Sequence, residues 1–121
     1  MHELSIAMGI VNIAEQEVHK ARADRVAEIN LLIGTLSGIE LDALEFAWPV
    51  AVKGTVLEQA KRHIELVEGR AKCLECEQIF DVHAFYDSCP KCNSYFKEIF
   101  QGKELRVQRL ILEKENASVT L

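Results

Sequence analysis

Four cysteines, Cys73, Cys76, Cys89 and Cys92, fall within twenty residues of a 121-residue chain that has no other cysteine. Their pattern is Cys-x-x-Cys, twelve residues, then Cys-x-x-Cys. Each turn points two sulfurs at one centre, and two facing turns make a tetrahedral thiolate cage. Zn(II) favours four thiolates at ~2.3 Å, and a closed four-thiolate shell leaves no open position for chemistry. The short gap suits a hairpin between two knuckles, the arrangement of a zinc ribbon. A disulfide pair, a redox dithiol and a rubredoxin-like iron site are the competing uses. Disulfides fit poorly with a reducing compartment, and a redox site normally needs only one pair. The spacing itself does not separate iron from zinc.

The compartment is read from the start of the chain. Met1-His2-Glu3 has no basic region and no small-residue cleavage site, so no signal peptide is expected and the chain reads as cytoplasmic. No apolar run approaches the ~18 residues of a membrane span. The formal charge of −5 argues against a general binder of nucleic acid or anionic membrane. Residues 70–103 carry five basic and five acidic residues, so the Cys-rich segment has no positive field either. A zinc-ribbon nucleic-acid or transcription factor is therefore the weaker reading. The length leaves no room for a multidomain enzyme, and 49% apolar residues suffice for one core. There is no Gly-rich phosphate loop, no nucleophile elbow and no cysteine outside the cage, so catalysis finds no support.

Hydrophobic periodicity predicts an α+β fold. Residues 3–20 read as a helix, with Leu4, Ala7, Met8, Val11, Ala14 and Val18 on one stripe, widened by Ile6, Ile10 and Ile13. Residues 26–33 read as a strand, 34–38 as a loop, and 40–53 as a second helix bearing Leu41, Leu44, Trp48 and Val52 on one face. Pro49 predicts a kink or short break in that helix. Thr55 and Glu58 have capping-box spacing for one further turn of helix. Strands follow over 63–68 and 105–113. In the last of these, Leu105 and Val107 are the candidate inner positions, and a bulge near Gln108 accounts for the change of phase toward Leu110 and Leu112. Residues 116–121 are expected to fray.

Two helices thus pack on a three-stranded sheet, with a four-cysteine zinc-ribbon lobe inserted between the second and third strands. The domain reading is 1–69 plus 104–121 for the α/β part and 70–103 for the lobe. Phe80, Phe85, Tyr86, Tyr95 and Phe96 are the lobe's expected packing, with the metal supplying the remaining folding free energy. His19, His63 and His83 read as surface or structural residues, and Phe46 and Trp48 as core or a partner-facing patch. An insert between two strands can exchange between chains, so both monomer and homodimer are compatible.

His2 has its own chemistry. Its imidazole, its backbone nitrogen and the terminal amine of Met1 can close two adjacent chelate rings on one metal, and Glu3 adds a backbone nitrogen. Planar nitrogen donation of this kind suits Ni(II) or Cu(II).

Met1-His2-Glu3 opening a helix, Gly34 and Ser37 after the first strand, Cys73-x2-Cys76 with Cys89-Pro90-x-Cys92, and Gln101-Gly102-x-Glu104-Leu105 together resemble the HypA/HybF family. These are nickel metallochaperones for maturation of [NiFe]-hydrogenases. The resemblance runs along essentially the whole chain. It implies a nickel-binding α/β domain carrying a structural zinc lobe. It implies transferable Ni(II) held at the N-terminus, by Met1, by the side chain and backbone of His2 and by the backbone of Glu3. Glu40 matches an acidic position that is a further candidate ligand or neighbour, where some relatives carry Asp. The zinc-lobe His of some relatives is absent here. The implied partners are a nickel-binding GTPase and the hydrogenase large-subunit precursor.

Overall fold

The computed structural model describes residues 2–114 and 117–120, with side chains described through Lys114. The order of elements is α1 (His2–Ala21), β1 (Arg25–Gly34), α2 (Leu41–Val52), β2 (Lys61–Val67), β3 (Gly69–Cys73), β4 (Ile79–Val82), β5 (Lys97–Gln101), β6 (Leu105–Lys114) and β7 (Ala117–Thr120). One sheet runs β2-β1-β6-β7 and a second runs β4-β3-β5. The two expected helices and three expected strands are all present, and β7 adds a fourth strand antiparallel to β6, from Ile111 opposite Thr120 to Lys114 opposite Ala117. Within the stretch expected to fray, residues 117–120 are therefore paired; Asn116 and Leu121 lie outside the described residues.

The chain forms two compact units: residues 1–31, 39–64 and 107–121, and residues 32–38 and 65–106. In the first, α1 buries Glu3, Ala7, Ile10, Ala14 and Val18. These positions repeat at helical spacing and lie on one line along the axis. The buried line is one residue away from part of the expected stripe. Leu4 and Met8 therefore stand exposed, as does Ile13. Small Ala7 and Ala14, both fully buried, let a neighbouring element approach closely where a row of larger side chains would hold it off. Helix α2 faces inward with Leu44, Trp48 and Val52, as its periodicity predicts. It continues past Pro49 to Val52 without a break. Pro49 is exposed, so the missing N–H leaves its unpaired carbonyl partner within reach of water. Trp48 is buried, with the Arg62 guanidinium 5.0 Å from its ring centre.

After α2 the capping-box spacing gives a turn instead of a helix. The Thr55 hydroxyl donates to the Val52 carbonyl at 2.7 Å and accepts from the Leu57 amide at 3.2 Å. It thereby closes the α2 C-terminus. The β1 residues Val26 and Ile29 and the β6 residues Leu110 and Leu112 are buried in this unit.

In the second unit the β4-β3-β5 sheet places alternate residues inward: Ala71 and Cys73 from β3, Phe80 and Val82 from β4. Leu36 and Cys89 complete the cluster, with Cys76 and Ile99 against it. Of the five aromatics expected to pack this lobe, only Phe80 does so; Phe85, Tyr86, Tyr95 and Phe96 are exposed. Two of the cysteines fill the place those rings were expected to take. Leu105, an expected inner position, is exposed as well.

Backbone runs very close to backbone beside Leu36. The Gly34 amide donates to the Glu104 carbonyl and the Leu36 amide to the Gly102 carbonyl, both at 2.7 Å. A Cβ on Gly34 would stand 1.9 Å from the Gly102 carbonyl oxygen, so only glycine fits.

Candidate metal centres

Two knuckles of the same construction hold the four cysteines. In the first, the Cys73 amide donates to the Gln78 carbonyl at 2.8 Å and the Glu77 amide to the Cys73 carbonyl at 3.0 Å. In the second, the Cys89 amide donates to the Ser94 carbonyl and the Asn93 amide to the Cys89 carbonyl, each at 2.8 Å. Glu77 and Asn93, each following the second cysteine of its pair, take left-handed backbone with φ of 67° and 63°. That conformation turns the chain so that both thiols of a pair face one point.

The amides of Glu75 and Cys76 point at the Cys73 sulfur at 3.4 Å, and the Lys91 amide points at the Cys89 sulfur at the same distance. Such donors stabilise a thiolate. The Cys76 and Glu75 amides draw the Cys73 thiol down to about 6. Cys92 moves the other way: the Ser94 amide favours its thiolate, but burial and the three neighbouring sulfurs outweigh it and push the thiol up to about 12. Cys89 is lowered as well, burial being outweighed by the Cys92 and Lys91 amides, and Cys76 is raised despite the Gln78 amide. Each pair thus has one thiol drawn down and one pushed up, and charge at the centre opposes further charge until a cation arrives.

The sulfurs of Cys73 and Cys92 are 3.5 Å apart, those of Cys76 and Cys89 are 3.6 Å apart, and all four lie within 4.8 Å of one another. A tetrahedron of thiolates at the zinc distance has edges of ~3.8 Å. The separations fit a zinc ion of four-thiolate coordination and need only small adjustment around it. Among the described residues this is the one group of three or more His, Cys, Asp or Glu side chains able to hold a metal. His83 is exposed and stands aside from it. Asp87 closes the connecting loop, accepting from the His83 amide at 2.8 Å and the Ala84 amide at 3.1 Å. The first of these bonds is the larger cause of a carboxyl held below its ordinary value.

The start of α1 lies in the other unit. His2 is the first helical residue described and is exposed. Glu3 is the one charged side chain buried among the described residues, at 7% exposure. Its carboxylate accepts the Glu40 amide at 3.1 Å. That bond, then the Glu3 amide itself, keeps the carboxyl below its ordinary value despite burial. Glu40 is the N-cap residue of α2: its carbonyl accepts the Leu44 amide at 3.0 Å, and its own side chain makes no capping bond. Glu40 is exposed. Met1 lies outside the described residues.

Sequence reasoning placed Glu3 by its backbone and gave its side chain only the helix-dipole role of an acidic first-turn residue. The signal that could have found it is its spacing: Glu3, Ala7, Ile10 and Ala14 share one helical line, and a carboxylate on a buried line needs a partner. Beside it, Leu4, Ala43, Phe46, Ala47 and Val50 line a shallow apolar groove, with Phe46 85% exposed. His63 pairs with Glu28 at 2.9 Å and His19 is exposed, so both are surface residues, as read.

The family profile described as "Hydrogenase/urease nickel incorporation, metallochaperone, hypA" matches residues 1–112. A hydrogenase maturation factor HypA of Parabacteroides distasonis is 45% identical over 115 residues, covering 95% of this chain and all of that relative. Its counterpart from Azotobacter chroococcum is 40% identical over 113 residues, 93% of this chain and all of that relative. Among solved structures, the Ni metallochaperone HypA from Helicobacter pylori shares the fold with a TM-score of 0.66, at 24% identity over 93% of this chain and 98% of its own. A second HypA solution structure has the same TM-score at 26% identity, covering 97% of this chain and 98% of its own. The chain belongs to the HypA family of hydrogenase maturation nickel metallochaperones.

Proposed function

We propose that this chain binds Ni(II) at the start of α1 and delivers it to the large-subunit precursor of a [NiFe]-hydrogenase, working with a nickel-binding GTPase in the cytoplasm. The donors are the amine of Met1, the imidazole and backbone of His2 and the backbone of Glu3, with the Glu40 carboxylate as a further donor or neighbour. Cys73, Cys76, Cys89 and Cys92 hold a resident Zn(II) that supports the fold. The protein acts as a carrier and not as an enzyme.

The observation that carries this reading is the exposed His2 at the head of a helix whose second described residue, Glu3, is buried and bonded. An exposed donor set on a fixed support can load and unload without opening the core. Its donors must be deprotonated, so nickel binding weakens as pH falls. A closed four-thiolate shell has the opposite character, since all its positions are filled by protein.

Nickel titration of the untagged protein tests the reading beside two variants. His2→Ala removes the imidazole; an N-terminal extension removes the free amine and displaces His2. Both are expected to lose specific nickel binding while zinc content stays at one per chain. Unchanged nickel affinity in both variants would overturn the N-terminal site.

A further inference from the structure

We infer that the Glu3 side chain is a positioning residue for nickel: its carboxylate ties the first turn of α1 to the N-cap residue of α2 and so holds His2 and Glu40 on the same metal. The inference rests on the N-terminal nickel site proposed above and assigns the Glu3 carboxylate a part in it that the backbone donors do not supply.

Three observations meet at this residue. Glu3 is buried, whereas its chain neighbours His2 and Leu4 are exposed. A buried carboxylate is costly unless its oxygens are satisfied, so it stays buried only with partners in place. One partner is the Glu40 amide, 37 residues away in sequence and 3.1 Å away in space. This bond falls on the amide of Glu40, not on its side chain. The Glu40 carboxylate makes no capping bond and stays exposed, where a metal can reach it.

The consequence is geometric. His2 directly precedes one end of the bond, and the Glu40 side chain grows from the residue at the other end. The segment leading to Glu40 is a loop, Ser37 to Glu40, with glycine at Gly38 in left-handed backbone at φ 82°. Such a segment keeps a fixed position only where something fastens it. Helix α2 fastens Glu40 from behind through the Leu44 amide; the Glu3 carboxylate fastens it toward α1. Without the carboxylate, the side chain at Glu40 keeps its helix but loses the direct tie that this bond gives it to the residue beside His2. Groups that orient metal ligands in this way change affinity by about 10- to 100-fold when removed.

The experiment is nickel titration of the full, untagged, zinc-loaded chain in five forms: wild type, Glu3→Ala, Glu3→Gln, Glu40→Ala and the Glu3→Ala/Glu40→Ala double variant. Zinc content and far-UV circular dichroism serve as controls, and the nickel ligand-field spectrum is recorded at saturation. Glu3→Ala is expected to weaken binding about 10- to 100-fold and to shift the spectrum toward that of Glu40→Ala. Glu3→Gln keeps a side-chain oxygen that accepts the Glu40 amide, so it is expected to bind within about three-fold of wild type. The double variant is expected to bind no more weakly than Glu40→Ala, because the two changes remove one interaction. Wild-type affinity in Glu3→Ala, or additive losses in the double variant, would overturn the assignment. If Glu3→Ala fails to fold, Glu3→Met takes its place: it fills a similar volume but offers no oxygen to the Glu40 amide, and wild-type binding by it would overturn the assignment equally. Retained binding in His2→Ala marks failure of the nickel site itself, distinct from failure of the Glu3 role.

Discussion

Replacing Gly34 by alanine should destabilise this protein far more than the addition of one methyl group normally does. The new Cβ would meet three backbone atoms: the Gly102 oxygen at 1.9 Å, its carbonyl carbon at 2.2 Å and the Lys103 nitrogen at 2.7 Å. No rotamer change relieves a clash with backbone. The two segments must separate by about an ångström or more to reach ordinary contact, and they are joined by the bonds from Gly34 to Glu104 and from Leu36 to Gly102, both at 2.7 Å. Overpacking costs about 1–3 kcal/mol, and each strained hydrogen bond adds about 1 kcal/mol. The sum of about 3–5 kcal/mol is a large part of the roughly 5–15 kcal/mol that holds a domain of this size together. Gly9→Ala is the matched control. Gly9 lies within α1, and a Cβ there has nothing within 4 Å. It should gain about 0.5–1 kcal/mol from helix propensity. Urea unfolding of the zinc-loaded protein, followed by far-UV circular dichroism, reads both changes as opposite shifts in midpoint at constant slope. Gly34→Ala within about 0.5 kcal/mol of wild type, the range of ordinary surface substitutions, would refute the close-approach argument.

Three other outcomes follow from the structure. Cys73→Ala should lose stoichiometric zinc and the ordered packing around Phe80 together, because Cys73 belongs both to the proposed zinc cage and to the buried cluster; zinc analysis and near-UV circular dichroism check this, and full zinc content would refute the cage. Zinc uptake by the metal-free chain should release protons, because Cys92 is held as a thiol with its pKa near 12 while zinc takes the thiolate; calorimetry in buffers of different ionisation enthalpy counts them. Asp87→Ala should speed hydrogen exchange at the His83 and Ala84 amides at neutral pH. The Asp87 carboxyl is depressed from its ordinary 3.8, so its bonds persist at neutral pH and weaken only as pH falls through that lower folded value, after thiolate protonation has begun to release zinc.

Much of the architecture was legible because it rests on period and spacing. The Cys-x-x-Cys pairs specify their turns almost completely, and Leu44, Trp48 and Val52 can face only one way along α2. The misreadings come from residues whose place depends on a neighbour absent from local sequence. In α1 the apolar residues are spread too broadly for periodicity to select the buried line. Ala7 and Ala14 win over Leu4 and Met8 because the close approach of another element favours small side chains there, and Glu3 joins that line because the Glu40 amide waits at its end. The same logic explains the lobe. Phe85, Tyr86, Tyr95 and Phe96 were expected to pack it, but a small sheet with two cysteines and Leu36 already in its interior has no volume left for four rings. Thr55 carried a helix-start signal and served as a helix stop, since its hydroxyl found the free Val52 carbonyl first.

The resident zinc and the transferable nickel proposed above ask for opposite kinds of site. A resident ion needs donors that are all protein, all directed and protected from exchange. The two knuckles meet that need with paired backbone bonds, left-handed turns and two buried cysteines. A transferable ion needs a donor set that an acceptor can dismantle stepwise. Among the described residues no second group of three metal-binding side chains exists to form another cage. The nickel site proposed above draws instead on backbone nitrogens beside the exposed imidazole of His2. The apolar groove of Leu4, Ala43, Phe46, Ala47 and Val50 begins close by on the same helix. Replacing Phe46 by Ser should leave stability within about 0.5 kcal/mol, because the ring is 85% exposed and makes little core. Any fall in hydrogenase maturation by this variant, with nickel affinity in solution unchanged, would separate the handing-on of nickel from its binding. An equal fall in nickel affinity would instead assign the ring to the metal site and refute that separation.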